Sequence, residues 1–276
     1  MEPRPFANIA AYKFVDLEER RLESLRPALL ARCKELGLRG TILLSPEGVN
    51  LFVSGAPENA RALQSVITDI RPFSDLSFTT TYSSEHSFRR MLVKIKKEII
   101  PFGFHAIKPA VASTERLHPL ELRRWLDEGS EVLLLDTRND YEVELGTFRN
   151  AVDLGLKHFR DFPRAVRKLD ESLKSKAVVT FCTGGIRCEK AAPLMRELGF
   201  RNVYQLQRGI LGYFDSCGGD HWNGECFVFD RRVALDPELC ETDTEYCFNC
   251  QHILRSDDLK DHRYERGERC PYCAAP

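Results

Sequence analysis

The sequence predicts an α/β protein in three parts: a β-α-β-β-α-β unit over residues 1–110, a domain of alternating strands and helices over 116–217, and a cysteine-rich tail over 218–276. Three observations carry this reading. In the first part, apolar periodicity switches between two and the helical value in the order of a split βαβ unit. In the second, short apolar runs alternate with helical patterns, as in a parallel sheet covered on both faces. In the third, seven of the ten cysteines crowd the last 60 residues. A chain of 276 residues is long for one compact domain.

Residues 8–15 read as a strand. Residues 18–36 read as an amphipathic helix, because Leu22, Leu25, Leu29, Cys33 and Leu36 recur at helical spacing. Residues 41–44 and 50–53 read as strands joined by the turn signal Ser45-Pro46-Glu47-Gly48. A helix over 58–70 and a strand over 78–82 complete a ferredoxin-like, acylphosphatase-like α+β arrangement. Residues 90–100 read as a last, longer strand, with Met91, Val93 and Ile95 on one face and Arg90, Lys94 and Lys96 on the other. From His86 to Lys108 six basic residues stand against one acid. A solvated sheet face explains this as well as a phosphate-contacting stripe does; on the second reading Arg90, Lys94 and Lys96 are candidate RNA contacts. Phe88, Phe102 and Phe104 are stacking candidates for bases, although phenylalanine near a strand is more often core.

Residues 110–115 read as a linker. In the second part, 118–127 is a helix with Pro119 early, where proline is tolerated. Residues 131–136 form a buried strand ending in Asp136-Thr137-Arg138, and 140–144 a short helical turn. A helix over 166–173, a central strand over 177–181, a helix over 189–198 and a strand over 203–206 follow. Reactive groups in such a sheet belong at the carboxyl ends of its strands.

Cys182-Thr183-Gly184-Gly185-Ile186-Arg187-Cys188 occupies that position. A cysteine leaving a strand, a glycine loop and a helix start together form an anion cradle. Loop N–H groups and the helix N-terminus turn positive charge toward the sulfur and lower its pKa. Cys182 is therefore the candidate nucleophile, and the backbone of Thr183, Gly184, Gly185, Ile186, Arg187 and Cys188 its anion-stabilising loop. Arg187 would orient or neutralise an anionic group, and Lys190 adds positive charge nearby. Cys188 is either a resolving thiol or a buried one, and burial is the more economical reading. Asp136 and Arg138 are candidates to hold the loop in place. Glu47 and Asn50 either face the site or make their turn.

The tail carries Cys247-Phe248-Asn249-Cys250 and Cys270-Pro271-Tyr272-Cys273, separated by 19 residues. That spacing fits a four-thiolate zinc site formed by Cys247, Cys250, Cys270 and Cys273. Such a site is closed and structural, so the chemistry does not belong to it. Cys217, Cys226 and Cys240 follow no pattern.

A net charge of −1 argues against a strongly basic nucleic-acid binder as a whole but leaves room for a local patch. With seven basic and thirteen acidic residues, the tail is not expected to drive RNA binding. Met1-Glu2-Pro3-Arg4-Pro5 does not read as a signal peptide, and no apolar run suits a membrane span. Many cysteines without a secretory signal suggest metal binding or thiol chemistry in the cytoplasm.

Leu134-Leu135-Asp136-Thr137-Arg138, Tyr141-Glu142, Gly146-Thr147-Phe148-Arg149-Asn150-Ala151 and the 182–187 loop together resemble a rhodanese domain. Four residues separate Cys182 from Arg187, as in sulfurtransferases; related phosphatases need one more residue to enclose a phosphate. Thr147 departs from the His often found there. The run from Cys182 to Ala191 is further similar to the bacterial tRNA uridine(34) hydroxylases. Residues 7–15, 40–53 with Glu47-Gly48-Val49-Asn50, 91–99 and 223–230 resemble that family's flanking segments, so the resemblance covers nearly the whole chain.

The resemblance implies oxygen-dependent hydroxylation of the wobble uridine of tRNA to 5-hydroxyuridine, with O₂ as co-substrate and Cys182 as the catalytic or persulfide-bearing residue. It implies tRNA as partner, with a sulfur donor as a further candidate. Residue chemistry alone stops at an activated thiolate that carries sulfur, since the sequence shows no flavin, haem or nucleotide motif. The alternative is a sulfurtransferase moving sulfur from thiosulfate or a persulfide to a thiol. A third reading is a zinc-stabilised RNA-binding adaptor. The basic strand favours the hydroxylase over the sulfurtransferase, and the intact loop disfavours the adaptor.

Overall fold

The computed structural model describes residues 4–104, 107–112, 114–247, 249–250, 252–265 and 268–274. Met1, Glu2, Pro3 and Phe248, read above, lie outside them. In chain order the first part comprises β1 (Phe6–Phe14), α1 (Glu19–Glu35), β2 (Arg39–Ser45), β3 (Gly48–Gly55), α2 (Pro57–Thr68), β4 (Thr79–Ser83) and β5 (Met91–Ile95). Its sheet has the order β4-β1-β3-β2-β5, antiparallel except for the β2–β5 pair. The first four strands thus take the ferredoxin-like order, and β5 adds an edge. Leu22, Leu29 and Cys33 of α1 and Leu63 and Ile67 of α2 pack on Ile9, Ile42, Leu51 and Val53.

The second part comprises β6 (Glu115–Leu117), α3 (Pro119–Asp127), β7 (Val132–Asp136), α4 (Asp140–Leu145), β8 (Gly146–Phe148), β9 (Val152–Asp153), α5 (Phe162–Val166), β10 (Ala177–Phe181), α6 (Cys188–Glu197), β11 (Asn202–Leu206) and α7 (Gly209–Cys217). Its main sheet, β6-β11-β10-β7-β9, is parallel throughout, with β10 central. Each face carries its own core. Leu134, Val179, Phe181 and Ile210 lie in one, and Leu135, Val178, Ala191, Leu194 and Val203 in the other. The tail adds short strands: β12 (Trp222–Gly224) on β8, β13 (Cys226–Phe227) on β14 (Ala234–Leu235), and β15 (Glu245–Tyr246) on β16 (Ile253–Leu254).

Four expectations need correction. The strand expected over 90–100 ends at Ile95, and Ile95 is exposed, not core-facing. Only Val93 is fully buried there, because the strand sits at the sheet edge beside β2 alone. No helix runs over 166–173. Pro163 places the helix start earlier, in α5, and a 3₁₀ turn, Glu171–Ser175, follows. Phe102 is completely buried against Phe159 and Phe162 and so is unavailable for stacking; Phe104 packs against the same cluster. The segment read as linker ends in β6, which pairs with β11.

The first two parts meet across a buried charge cluster. Lys190, on α6, reaches Glu47 at 2.9 Å, Glu98 at 2.7 Å and the Ile100 carbonyl at 3.0 Å. Its charge is therefore spent on this seam, not on the Cys182 loop. Glu47 also accepts from the Ile99 N–H, and Asn50 donates to the Ile99 carbonyl. Glu47 thus docks the two parts through Lys190, while Asn50, in β3, fastens the first part's own segment after β5. Replacing Lys190 by Met leaves two carboxylates facing each other in a largely dry seam. Lys190→Met is expected to lower stability by about 2–3 kcal/mol, read as a reduced urea midpoint; an unchanged midpoint contradicts the seam's role.

Candidate active site

Cys182 leaves the carboxyl end of β10 and is almost wholly buried. The loop closes around it because α7 holds its outer side. The Ile210 and Leu211 N–H groups, at the start of α7, donate to the carbonyls of Cys182 and Thr183 at 3.0 and 3.1 Å. With those carbonyls turned outward, loop N–H groups face the sulfur, and Gly185 N donates to Cys182 Sγ at 3.1 Å. Gly209 permits this approach: it has φ +59°, and an added Cβ would stand 2.3 Å from the Cys182 carbonyl oxygen.

Charge completes the cradle. Arg187 is buried, with Nη2 donating to Glu142 Oε1 at 3.0 Å. Its Nη1 stands 2.8 Å from Oε2, within ion-pair distance. Glu142 is itself fixed by the Asn139 N–H in the capping box of α4. Beside this pair, fully buried Arg138 forks onto Asp136 at 2.9 and 2.7 Å and donates to the carbonyls of Glu142 and Gly146. Thr147 donates to Asp136 at 2.8 Å, so the residue in the often-His position takes part in the same network. Asp136 and Arg138 therefore brace the segment that carries Glu142, and do not touch the sulfur.

Burial pushes the Cys182 thiol up. A bond from the Cys188 thiol, the Arg187 charge and the Arg187 and Gly185 N–H groups outweigh it and bring the thiol down to about 6. Cys188 is pushed the other way, first by burial and then by Cys182, so it remains a thiol and donates. The structure thus favours a buried, donating Cys188.

Four contributors carried no signal in the loop motif. Glu142 anchors Arg187. Helix α7, rich in glycine, clamps the loop. Tyr12, from β1, donates to Glu189 at 3.2 Å and lies so near the loop that a Cβ on Gly185 would sit 2.9 Å from its hydroxyl. Burial, then Glu189 and the two thiols, raise the Tyr12 phenol and keep it protonated. Phe229, from the tail, lies against Arg187 with the guanidinium carbon 5.4 Å from its ring centre. Glu142 alone was findable, as the third residue after an Asn N-cap.

Arg90, Lys94 and Lys96 are all exposed, Lys94 in β5 and the other two flanking it. The chain leaving this stripe contributes Glu98 to the Lys190 seam on α6. In the tail, the sulfurs of Cys247, Cys250, Cys270 and Cys273 all lie within 4.8 Å of one another. Their separations include 3.8, 3.4 and 3.7 Å. A tetrahedral metal ion with ~2.3 Å bonds to sulfur requires edges of about 3.8 Å, so this cluster could hold one.

Residues 6–99 match a family described as a UPF0176 acylphosphatase-like domain, and residues 118–216 match the rhodanese-like domain. A tRNA uridine(34) hydroxylase of Ralstonia nicotianae is 46% identical over 97% of this chain and 96% of its own. A protein of the same name from Burkholderia cenocepacia is 46% identical, again over 97% of this chain and 96% of its own. A solved rhodanese-like domain from Anabaena sp. is 21% identical over 41% of this chain and 80% of its own, with a TM-score of 0.34.

Because only the thiolate reacts with alkylating agents, Cys182 alkylation should rise with pH through a midpoint near 6. Arg187→Gln should move that midpoint upward. Peptide mapping after iodoacetamide pulses at a series of pH values measures both; a wild-type midpoint above 8 contradicts the cradle.

Proposed function

The chain belongs to the tRNA uridine(34) hydroxylase family, and on that basis we propose that it hydroxylates the wobble uridine of tRNA at C5, with O₂ as oxygen source and Cys182 as the reactive residue. The observation that carries this reading is that relatives of that name match the chain across both sheet domains and the tail, not the rhodanese-like part alone. Their names support hydroxylation over sulfur transfer between small molecules. The six-residue loop suits a persulfide, and a persulfide-class sulfur donor is a partner consistent with it.

Each part then has a task. The loop N–H groups stabilise a thiolate or persulfide on Cys182, and the Arg187 charge does the same from the side. The Cys188 thiol adds a side-chain hydrogen bond to those from the loop N–H groups. Asp136 and Arg138 fix the scaffold. The exposed Arg90, Lys94 and Lys96 contact tRNA phosphates, and the chain after them leads to α6, at whose start the loop lies. In the tail, zinc is the ion that four thiolates at these separations select; it stabilises the segment and leaves no open position for substrate. Among the described residues no helix is long and apolar enough to cross a membrane, and the reduced thiols fit a cytoplasmic protein.

Two experiments test this reading. In a strain lacking the gene and any redundant route, the wild-type gene should restore 5-hydroxyuridine in tRNA by mass analysis, and Cys182→Ser should not. Persistence of the nucleoside without the gene overturns the hydroxylase reading; full restoration by the Ser variant overturns the role of Cys182. The combined Lys94→Glu, Lys96→Glu change should weaken tRNA binding and reduce the salt slope by about two. An unchanged slope counts against the stripe.

A further inference from the structure

Phe229 is the one exposed large aromatic ring that the described residues place against the Cys182 loop: it is 46% exposed, although it follows a buried strand of the tail. Its position is fixed from two sides. The Phe227 ring meets it edge-on at 5.2 Å, and Phe227 is held by Tyr141 and Tyr246 at 5.2 and 5.7 Å. The Phe227 carbonyl accepts a bond from Thr183 in the loop, at 3.3 Å. The Arg187 guanidinium, paired with Glu142 at 2.8 Å, lies against the Phe229 ring with its central carbon 5.4 Å from the ring centre. An exposed ring exposes a costly apolar face, and a planar heterocycle covers it.

We propose that Phe229 is a stacking platform for a pyrimidine base of the RNA substrate. A uracil ring has the flat face that covers such an exposed ring. The arrangement sets a base beside the thiolate that Arg187 serves, and it brings the tail into the site. It rests on the reading above in identifying that base as the wobble uridine.

The test separates the two ideas. Phe229→Leu keeps apolar bulk and removes the ring; it should lower kcat/KM for 5-hydroxyuridine formation by roughly 5- to 150-fold, chiefly through KM. Phe229→Tyr, which restores a ring, should recover most of that loss. A readout independent of activity uses Phe229→Trp, with wild type as the fluorescence background for Trp125 and Trp222. An anticodon stem-loop with uridine at position 34 should quench the added emission, and the same RNA abasic at 34 should not. Equal responses to the two RNAs, no binding of either at micromolar concentration, or an unchanged KM in Phe229→Leu overturn the platform. A base-dependent response alongside a wild-type protein that forms no 5-hydroxyuridine overturns the hydroxylase reading and leaves the platform standing.

Discussion

A buried sulfur anion has no water to stabilise it, and most of this structure follows from that constraint. Cys182 sits at the end of the central strand, where solvent is excluded from both sides of the sheet. Every stabilising partner therefore has to come from the protein. The loop supplies N–H groups only because α7 accepts the task of satisfying the opposing carbonyls. Arg187 supplies charge only because Glu142 fixes it, and Glu142 is placed by the cap of α4. Buried ion pairs of this kind contribute little net stability. Here their value is positional, since a guanidinium free to swing into solvent would no longer help the Cys188 bond and the loop N–H groups to lower the thiol.

The same constraint accounts for the other parts of the chain. The first domain covers the loop with Tyr12 and locks onto α6 through Lys190, so the helix that follows the loop is held from outside. The tail closes the site from another segment, bonding Thr183 and laying Phe229 on Arg187. Here β1 of the first domain and the tail cover the loop from outside the rhodanese-like domain.

Where the sequence misled, the cause was physical in each case. The helix expected over 166–173 rested on apolar spacing, but the Pro163 start and the short run before the 3₁₀ turn limit α5 to Phe162–Val166. Helix α7 gave no signal, because Gly209 and Gly212 lower helical propensity where close contact with the loop requires them. By alternation Ile95 shares a face with buried Val93, yet at the end of an edge strand it is exposed. Phe102 was a stacking candidate by its neighbours in sequence and is core by its neighbours in space.

The sequence by itself determined the order of elements, the position of Cys182 at a strand end, the loop length that separates sulfur carriers from phosphatases, and the paired cysteines of the tail. These are local features: spacing along a few residues fixes which backbone groups converge and how many ligands one turn can offer. Tertiary structure alone decided that Lys190 serves a seam and not the loop, that Cys188 remains protonated, that Glu142 holds Arg187, and that Tyr12 and Phe229 reach the site. Apart from the Cys182–Cys188 pair, those depend on contacts between residues 42 to 177 positions apart, as for Arg187 with Phe229 and Tyr12 with Glu189. No periodicity or spacing encodes such contacts, because they arise only when separate hydrophobic faces pack and carry their polar edges together.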